Sequence, residues 1–492
     1  MKLCDLLKGI KTLEIYGNKD MDITGIAYDS RRVDKGNLFV CITGLKTDGH
    51  KYIKGAIKNG AIAIIIEKDI DEIPEIMNEH DISFIKTDDT RYALSKLAAN
   101  FYDDPSDKIN VVGITGTNGK TSITYLISSI LEANNKRTSI IGTMKNKIAD
   151  EEYKTANTTP ESLELQYLFS KMIKKNVDVC AMEVSSHSLD LKRVEHIKFN
   201  IGVFTNLTAD HLDFHEDMEN YKNAKIKLFY KTSDVNIINI DDKYGKEIYN
   251  RIKKLEIPAL SYGIDNNCDI RAEDIRMNAA YSEFKLVTPK YSGNIKINIP
   301  GLFSIYNILA AIAVCYFMGY SYEDIARGVG KIKSIRGRFE LVENDKGIGV
   351  IVDYAHTPDA LENVLKTIKQ FLKGRVITVF GCGGDRDTSK RAIMGKIAYS
   401  MSDYSIITND NPRTENPAKI VEDILRGMGK DKNKYDVVMD RREAIKRAIR
   451  KAQRDDVVLI AGKGHETYQI INNEVVDFDD REVASNFLRE DY

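Results

Sequence analysis

Short apolar runs alternate with amphipathic stretches along most of this sequence. In the middle of the chain the runs are VDVCAME, IGVFTNL and VNIINI, and near its end they are GVIVDYA, RVITVFG, YSIITN and DVVLIAG. The stretches between them repeat apolar residues at helical spacing, as in GLFSIYNILAAIAVCYFMG and SYEDIARGVGKI. Buried strands that alternate with helices form parallel sheets covered on both faces. The pattern therefore predicts an α/β protein.

The same pattern divides the chain into three parts. The first contains YIKGAIKNGAIAIIIE, which predicts a helix, a glycine stop and a buried strand, and it closes at the turn-rich FYDDPSDKI. The second opens with a strand, a glycine-rich turn and a long helix, and a further doubly wound pattern starts near Ser334. We predict domains at residues 1–106, 107–333 and 334–492, since 492 residues exceed what one core usually serves.

Composition narrows the class of protein. Basic and acidic residues number 72 and 73, so net charge gives no reason to expect a nucleic-acid or membrane-surface partner. No apolar run approaches the roughly 20 residues of a membrane span, and the first residues lack the features of a signal peptide. The six cysteines are scattered without a CxxC pair, which argues against a zinc ribbon or a disulfide framework. We predict a cytoplasmic protein.

A polar cluster follows each of the four apolar runs in the last part. The clusters are Asp353-Tyr354-Ala355-His356, GCGGDRD, DNPR and GKGHE. The carboxyl ends of parallel strands meet at one edge of a sheet, where α/β proteins bind ligands. In the third cluster Pro412 and Pro417 restrict the backbone around Arg413. A solvated turn would also explain that loop alone, but four clusters at one edge predict a binding site.

A phosphate-binding loop is predicted at TGTNGKTS, which follows a strand and opens a helix. Glycine N–H groups and a helix N-terminus suit an anion there. Lys120 would reach the terminal phosphates of a nucleotide, and the Thr121 hydroxyl would reach Mg²⁺. Ile114 stands where the strict GxxxxGK[ST] pattern has its first glycine, so the loop is a variant with Gly113, Gly116 and Gly119.

Further polar residues follow the central strands in MEVSSHS and TNLTADHLDFH. A glutamate, a histidine and the loop threonine could hold Mg²⁺ ions that bridge phosphate oxygens. Each histidine taken alone is more often structural or solvated. In YKNAKIKLF, Tyr221, Lys225 and Phe229 share one helix face. A lysine there normally extends its ammonium to water, and facing a metal it would be repelled unless its charge were altered.

Eleven motifs in order make the chain similar to the Mur ligases. They are DSRRVDKGNLFV, TGTNGKTS, NTTPE, EVSSHSLDLKRV, TNLTADHLDFH, NAKIKLF, GRFE, VDYAHTP, GCGGDRD, DNPR and GKGHE. The resemblance covers nearly the whole length, and it is closest to the branch that adds the third amino acid of the peptidoglycan stem peptide. It implies three domains: an N-terminal UDP-binding domain, a central P-loop ATPase-like parallel sheet and a Rossmann-like C-terminal domain.

The resemblance implies an ATP-dependent amide ligase that acts on UDP-N-acetylmuramoyl-L-alanyl-D-glutamate. In this family ATP phosphorylates the glutamate carboxylate, and the incoming amine attacks the acyl phosphate. Transfer of a phosphoryl group to an anion needs neutralising charge from Mg²⁺ and lysine. The implied cofactors are therefore ATP and Mg²⁺. A monomer is expected, with no nucleic-acid partner and no membrane insertion.

The family's functional positions carry over residue by residue. The implied catalytic residues are Lys120, Lys225, His211 and Glu183. The implied metal ligands are Thr121, Glu183, His211 and Lys225 as a carbamate. Positions implied to contact ATP are Gly116, Thr117, Asn118, Gly119, Lys120, Thr121, Ser122, Asn307, Arg338, Asp353 and His356. Positions implied to hold the UDP-linked dipeptide are Ser30, Asn157, Thr158, Thr159, Ser185 and Arg193.

The incoming amino acid is implied to bind at Arg386, Asp410, Asn411, Pro412, Arg413, Gly462 and Glu466. Family members usually add meso-2,6-diaminopimelate or L-lysine, and only diaminopimelate carries a distal carboxylate beside its ammonium. A guanidinium binds a carboxylate through two hydrogen bonds and repels a lone ammonium. Arg413 and Arg386 therefore favour diaminopimelate, and Glu466 suits the ammonium. In the family DNPR accompanies the same substrate.

Two positions depart from the family pattern, and four rival functions stay open. Leu191 stands where many relatives have a glutamine that touches the substrate, and Arg336 replaces the usual proline before GRFE. The nearest rivals are a lysine-adding ligase and a folylpolyglutamate synthase-like ligase, which would not need DNPR. A P-loop switch or motor would have no reason for the last three clusters. A silent scaffold would not need Lys120, Thr121, Glu183, His211 and Lys225 together.

Overall fold

The computed structural model describes residues 1–44, 47–155, 157–278, 280–472 and 474–490. These residues form two compact units. The first comprises residues 1–113, 137–202 and 224–234, and the second comprises residues 114–136, 203–223 and 235–492.

The first part of the chain forms a five-stranded sheet in the order β1-β5-β4-β3-β2. Strand β1 runs antiparallel to β5, and the other pairs are parallel. The strands are β1 (Thr12–Tyr16), β2 (Gly25–Ala27), β3 (Asn37–Val40), β4 (Ala61–Ile66) and β5 (Ser83–Thr87). The helices are α1 (Leu3–Leu6), α2 (Ile53–Lys58), α3 (Ile73–Glu79) and α4 (Thr90–Phe101), with 3₁₀ turns at Ser30–Arg32, Gly49–Tyr52 and Pro105–Lys108.

Both faces of this sheet are apolar, which explains the unbroken apolar runs of its strands. Successive strand residues point to opposite faces. Leu38 and Val40 of β3 pack into one core with Leu94 of α4, while Phe39 packs into a second core with Ile53 of α2. The helix, glycine stop and buried strand predicted around residue 60 are confirmed as α2 and β4.

The middle of the chain contains eleven strands and eight α-helices among its described residues. The strands are β6 (Asn110–Thr115), β7 (Thr138–Ile141), β8 (Asn146–Ile148), β9 (Glu151–Tyr153), β10 (Val179–Glu183), β11 (Phe199–Phe204), β12 (Thr232–Asn239), β13 (Ala259–Gly263), β14 (Ile270–Met277), β15 (Ser282–Val287) and β16 (Ser292–Ile297). The helices are α5 (Lys120–Glu132), α6 (Ser162–Lys174), α7 (Ser186–Asp190), α8 (Leu212–His215), α9 (Met218–Ile226), α10 (Lys243–Ile252), α11 (Leu302–Phe317) and α12 (Tyr322–Gly330), with a 3₁₀ turn at Lys227–Tyr230.

Within the first unit the strand order is β6-β10-β7-β8-β9, and β10 pairs with β7 in parallel. Within the second unit the order is β12-β13-β14-β15-β16. The strands β14, β15 and β16 form an antiparallel meander that the sequence interpretation missed. Residues of β15 alternate between buried and half-buried, which is the period-two pattern of a strand with one covered face. Its signal was present but short.

The last part of the chain forms a six-stranded sheet in the order β17-β18-β22-β19-β20-β21, in which only β17 is antiparallel to its neighbour. The strands are β17 (Glu340–Leu341), β18 (Gly349–Asp353), β19 (Val376–Phe380), β20 (Tyr404–Ile407), β21 (Tyr435–Val437), β22 (Val457–Ala461), β23 (Tyr468–Ile471) and β24 (Glu474–Asp477). The helices are α13 (Pro358–Phe371), α14 (Lys390–Met401), α15 (Pro417–Leu425), α16 (Arg441–Lys451) and α17 (Asp480–Arg489), with a 3₁₀ turn at Lys432–Lys434. Strands β23 and β24 form a separate hairpin.

The four apolar runs predicted as parallel strands in this part are confirmed as β18, β19, β20 and β22. A fully buried ion pair lies next to the carboxyl end of one of them, β22. Arg441 of α16 donates to both carboxylate oxygens of Asp480 at 2.7 Å, and its Nη2 also donates to the carbonyl of Ala461 at 3.0 Å. These bonds connect the end of β22 to helices α16 and α17.

In the part of the chain that the structure describes, no helix is both long and apolar enough to cross a membrane.

Candidate active site

The predicted phosphate loop lies in the second unit, between the end of β6 and the start of α5. Two of its glycines have left-handed backbone angles, with φ of 145° at Gly116 and 89° at Gly119. A Cβ at Gly116 would lie 1.8 Å from Thr205 Oγ1, and one at Gly119 would lie 2.4 Å from Asn307 Oδ1. Only glycine satisfies both the angle and the space at these two positions.

The TNLT segment after β11 holds this loop in place. Asn206 accepts hydrogen bonds from the backbone N–H groups of Thr117 and Asn118, both at 2.9 Å. The Thr205 hydroxyl donates to the carbonyl of Asn118 at 2.7 Å. Lys120 opens helix α5, and its Nζ donates to the carbonyls of Gly116 and Thr117 at 2.9 and 2.8 Å. The loop lysine is thus aimed back over the loop, where an anion would bind.

A small, mainly apolar cavity of about 10 Å³ lies beside α5. Its walls are Ser122, Leu126, Ile297, Ile299, Phe303, Ser304, Asn307, Ile335 and Arg338. The pocket contains three of the residues implied to contact ATP.

Arg338 joins the phosphate loop to the strand ends of the last sheet. Its Nη2 donates to Thr121 Oγ1 at 3.0 Å, and its guanidinium lies 4.6 Å from the centre of the Tyr354 ring. Asn118 makes a second link, because its Nδ2 donates to Asp359 Oδ2 at 2.9 Å. The sequence-predicted ATP residues of the loop and of the VDYAHTP motif are therefore neighbours.

Burial shifts the pKa values of Asp353 and His356, at the end of β18, in opposite directions. The buried Asp353 carboxylate accepts from the N–H groups of Phe339 and Ala355 at 2.6 and 2.7 Å. Burial raises the pKa of Asp353, and the Arg338 guanidinium opposes that rise. Burial lowers the pKa of His356 to about 4, and the charge of Lys390 acts in the same direction. His356 is therefore neutral near pH 7, with its Nδ1 2.9 Å from the carbonyl of Tyr354.

The loops GCGGDRD and DNPR are bound to each other. Gly384 N–H donates to the carbonyl of Asn411 at 2.9 Å, and Arg413 Nη1 donates to the carbonyl of Gly384 at 2.8 Å. A Cβ at Gly383 would lie 3.0 Å from Arg413 Nη1 and 3.9 Å from Arg386 Cγ. Both arginine side chains therefore approach Gly383.

The backbone of Arg413 adopts a left-handed conformation with φ of 53°. Its N–H donates to Ile470 at 3.0 Å, and its carbonyl accepts from Asn472 at 2.9 Å, so the hairpin β23–β24 clamps the residue. The neighbouring Glu415 is held from α14 by Arg391, which is fully buried and donates to both carboxylate oxygens at 2.7 Å. Arg391 also pairs with Asp423 at 3.0 Å. The left-handed backbone of Arg413 is strained, and such strain is retained only where the surrounding contacts impose it.

The carboxylate of Asp410 also lies at the strand-end edge of the last sheet. Its Oδ2 is buried and has no hydrogen-bond partner among the described residues. A Cβ at Gly462, whose φ is 115°, would lie only 2.6 Å from that oxygen. Glu466 lies in the same place, because its Oε2 accepts from Asn411 Nδ2 at 2.8 Å. A buried acceptor without a partner is rare and suits a ligand that carries an ammonium group.

The first unit contains the residues predicted to hold the dipeptide. The Thr159 hydroxyl donates to the carbonyl of Glu183 at 2.8 Å and lies 3.3 Å from Ser185 Oγ. Arg193 Nη1 donates to the carbonyl of Thr159 at 3.1 Å. Glu161, which the sequence interpretation missed, lies 3.2 Å from Arg193 Nε. Burial raises the pKa of Glu161, and Arg193 opposes that rise.

Other predicted residues of this unit are separately placed. Ser30 opens the first 3₁₀ turn, and its carbonyl accepts from Asn59 at 2.8 Å. Thr158 contacts the Thr143 hydroxyl at 3.0 Å, and Asn157 accepts from Thr155 at 2.5 Å. The family resemblance also implies that the turn at Thr43–His50 contacts uracil or ribose, and residues 45 and 46 of that turn lie outside the described residues.

The four predicted metal ligands differ in their surroundings. Glu183 is buried in the first unit and accepts from the Thr143 N–H and hydroxyl at 2.9 and 3.0 Å. Lys225 of α9 is also buried there. His211 in the second unit has a φ of 55° and lies 3.4 Å from Asp210. No cluster of three or more metal-binding side chains occurs among the described residues. Mg²⁺ needs only one or two protein ligands when phosphates supply the rest, so oxygen donors such as Glu183 and Thr121 fit it.

The structure gives contacts for one of the two departures from the family pattern, Arg336, and no explanation for the other, Leu191. Arg336 Nη2 donates to Asp479 Oδ2 at 2.6 Å, while Asp479 Oδ1 caps α17 by accepting from Arg481 N–H at 2.9 Å. The segment before GRFE is thus tied to α17 by an ion pair. Leu191 is half-buried at the end of α7, and nothing in the structure explains the substitution.

Taken together, a glycine-rich phosphate loop, an adjacent apolar pocket and a charged strand-end edge define a nucleotide-binding α/β enzyme. Comparison with known families identifies it further. Residues 22–102 match the "Mur ligase family, catalytic domain", residues 114–315 the "Mur ligase middle domain" and residues 337–464 the "Mur ligase, glutamate ligase domain".

Individual relatives agree along the whole chain. A UDP-N-acetylmuramoyl-L-alanyl-D-glutamate–2,6-diaminopimelate ligase of Clostridioides difficile is 52% identical over 99% of both chains. The ligase of the same name from Alkaliphilus oremlandii is 49% identical over 100% of this chain and 99% of its own. A solved structure of a ligase with this name matches with a TM-score of 0.70 and 30% identity, over 99% of this chain and 98% of its own. The chain belongs to the Mur ligase family.

Proposed function

We propose that the protein is an ATP-dependent ligase that joins meso-2,6-diaminopimelate to the D-glutamate of UDP-N-acetylmuramoyl-L-alanyl-D-glutamate. The observation that carries the proposal is the edge formed by Arg413, Asn411, Asp410 and Glu466 in the same unit as the phosphate loop. This edge combines a guanidinium for a carboxylate with buried carboxylates for an ammonium. Diaminopimelate has both groups at its distal end, and lysine has only the ammonium. The full-length relatives bear the name of this activity.

The reaction proceeds through an acyl phosphate. The D-glutamate carboxylate attacks the terminal phosphorus of ATP, and ADP leaves. The neutral amine of diaminopimelate then attacks the acyl carbon and loses a proton to water, and phosphate leaves from the tetrahedral intermediate with the electrons of the C–O bond. Lys120 and the N-terminus of α5 neutralise the phosphates, and Arg338 orders the Thr121 hydroxyl through their 3.0 Å hydrogen bond. Thr121, Glu183 and His211 are the residues proposed to hold Mg²⁺, which would supply positive charge to the transition state of phosphoryl transfer.

Lys225 completes the proposed metal ligands as a carbamate. Its side chain is buried. The amine adds CO₂ and releases a proton, which makes the group an anion. An anion beside Mg²⁺ removes the repulsion that a cationic lysine would cause.

Substrate binding is distributed over three proposed domains. Residues 1–106 hold the UDP group through Ser30, and residues 107–333 hold ATP together with the muramoyl dipeptide. Residues 334–492 hold diaminopimelate. The three family matches each fall within one of these ranges. We place the enzyme in the cytoplasm, as a monomer that supplies peptidoglycan precursor.

One experiment tests the proposal directly. Phosphate release is measured with the UDP-linked dipeptide, ATP and either meso-diaminopimelate, L-lysine or L-ornithine. We expect kcat/KM for diaminopimelate to exceed that for lysine by about a hundredfold or more. Lysine lacks the distal carboxylate and would leave the guanidinium of Arg413 without its partner. A preference for lysine would overturn the assignment of the amino acid, and ligation of glutamate to a folate would overturn the substrate class.

A further inference from the structure

A buried ammonium group lies next to the proposed amino-acid site. The Lys463 side chain, in the GKGHE cluster after β22, is fully buried. Its Nζ donates to Glu466 Oε2 at 3.0 Å and to Asn411 Oδ1 at 3.1 Å, and it lies 5.5 Å from the centre of the Tyr468 ring. An unpaired buried charge would cost several kcal/mol, so these contacts are what allow the lysine to be there.

The Asn411 side chain is oriented by the same contacts. Its Oδ1 accepts from Lys463 Nζ and from the N–H of Ile470 at 3.0 Å, and its Nδ2 donates to Glu466 Oε2 at 2.8 Å. The oxygen of an amide accepts hydrogen bonds and its nitrogen donates them. Two donors at Oδ1 and a carboxylate at Nδ2 therefore define the orientation of the Asn411 amide. Lys463, Asn411 and Glu466 therefore form a closed triad across two strand-end loops.

This triad also orients the Glu466 carboxylate. Both Lys463 and Asn411 donate to the same oxygen, Oε2, which leaves the Oε1 edge to face a ligand. We propose that Lys463 is a positioning residue that holds the Glu466 carboxylate in the correct orientation for the distal ammonium of the incoming amino acid. The inference rests on the proposed function, because it assigns a role next to the amino-acid site.

The charges around Glu466 explain why a cation is needed there. Burial raises the pKa of Glu466, and the charge of Asp410 raises it as well, whereas Lys463 and the hydrogen bond from Asn411 oppose the rise. The titratable and charged groups near Glu466 are Lys463, Asp410, Tyr354, Tyr468 and Arg441. Removal of the Lys463 charge would therefore protonate Glu466 at higher pH, and a neutral acid attracts an ammonium less.

The test is Lys463→Met, which keeps the chain length and removes the charge. We expect KM for meso-diaminopimelate to rise about tenfold or more, while KM for ATP stays within about twofold of the wild-type value. We also expect the acid limb of kcat/KM for diaminopimelate to move to higher pH. A loss of stability alone would not shift that limb, so the pH profile separates positioning from folding.

Arg375→Met is the matched control. Arg375 precedes β19 at the opposite edge of the sheet, where it donates to the buried carboxylate of Asp456 at 2.7 and 3.1 Å. Its loss should lower the unfolding midpoint and leave both KM values and the acid limb unchanged. Equal effects of Lys463→Met and Arg375→Met on the kinetics would overturn the inference.

Lys463→Gln separates charge from hydrogen bonding. Its amide can still donate to Glu466, so it should fold more readily than the methionine variant and show the same shift of the acid limb. An unmoved limb in either folded variant, or failure of both variants to fold, would contradict a positioning role. The assay of the wild-type enzyme separates failure of the proposed function from failure of the role inferred for Lys463. If the wild-type enzyme does not ligate diaminopimelate, the proposed function fails, whereas an unaltered KM in an active Lys463→Met enzyme sinks only this inference.

Discussion

The guanidinium of Arg413 is held by carbonyl groups of two loops, GCGGDRD and DNPR. Nη1 donates to the carbonyls of Gly384 and Asn411 at 2.8 and 3.3 Å. A guanidinium has five N–H donors, so these bonds leave the Nη2 and Nε edge for a carboxylate. Binding then requires less ordering of the side chain than a flexible arginine would need.

Arg413→Ala should raise KM for diaminopimelate by a factor equivalent to about 2 kcal/mol or more, since a charged hydrogen-bond pair is lost. KM for ATP should change little. Steady-state kinetics with each substrate varied in turn measures both. Arg426→Ala is the control, because Arg426 lies exposed at the end of α15 in the following segment. An unchanged KM for diaminopimelate would remove Arg413 from the site.

Lys225→Ala should be nearly inactive, because the variant cannot form the carbamate proposed to hold Mg²⁺. A short carboxylate such as acetate should restore part of the activity by supplying the missing anion. Lys222→Ala is the control on the same helix, where Lys222 pairs with Glu219 and Glu247 at 2.7 and 2.9 Å. Full activity of the Lys225→Ala enzyme would exclude the carbamate from the mechanism.

At the level of elements, the phosphate loop depends on the close approach of two other segments. Gly116→Ala combines backbone strain with a Cβ 1.8 Å from Thr205 Oγ1, so the loop must move. We expect ATP affinity to fall by more than tenfold, as judged by titration with a fluorescent nucleotide. Gly319→Ala, after α11, is the matched control because its φ of 89° gives similar strain and no atom lies within 4 Å of the new Cβ. It should cost about 1 kcal/mol of stability and leave ATP affinity intact.

The DNPR loop depends on helix α14 through Arg391. Arg391→Met leaves the carboxylates of Glu415 and Asp423 without their buried partner, which should lower the free energy of unfolding by about 3 kcal/mol. Urea denaturation measures the loss. Arg447→Met removes an exposed pair with Glu443 and should cost less than about 1 kcal/mol. If the two variants have equal stability, the Arg391 network does not hold the loop.

On the scale of the whole molecule, buried histidines make stability depend on pH. Burial lowers the pKa of His196 to about 4, and Lys96 adds to the effect. The charged groups near this ring are Lys96, Glu195, Lys231 and Asp104. An unfolded histidine takes up its proton near pH 6.5, so between about pH 6.5 and 4 the unfolded chain binds more protons than the folded one. The free energy of unfolding therefore falls as pH decreases through this window.

His196→Phe should reduce that dependence, since phenylalanine keeps the edge contact with Tyr92, whose ring centre lies 4.7 Å from that of His196, but cannot be protonated. Urea denaturation at about pH 7.5 and 5 gives the slope for each protein. The variant should lose less stability than the wild type on acidification. His80→Gln, at an exposed position, serves as the control. Equal slopes for His196→Phe and the wild type would contradict the assignment.

Most of the fold and much of the candidate site followed from the sequence. Apolar runs too short for helices and flanked by glycine predict buried strands, because only a sheet covered on both faces excludes water from such runs. The order of those strands then brings four polar clusters to one edge, as Gly384, Asn411 and Glu466 illustrate. The phosphate loop was predictable because its glycines are dictated by local backbone geometry, as at Gly119.

Contacts between side chains distant in sequence were decided by the tertiary structure alone. The sequence contains Arg391, Lys463 and Arg441 without any sign that they are buried, since a charged residue in a polar segment is usually solvated. Their partners lie 24 residues away for Arg391 and Glu415, 52 for Lys463 and Asn411, and 39 for Arg441 and Asp480. The antiparallel meander of β14–β16 was likewise missed, because a short period-two pattern becomes a strand only when a partner covers one face. Local chemistry determines which residues can bind a phosphate or a carboxylate, and packing determines which of them are held in the geometry to do so.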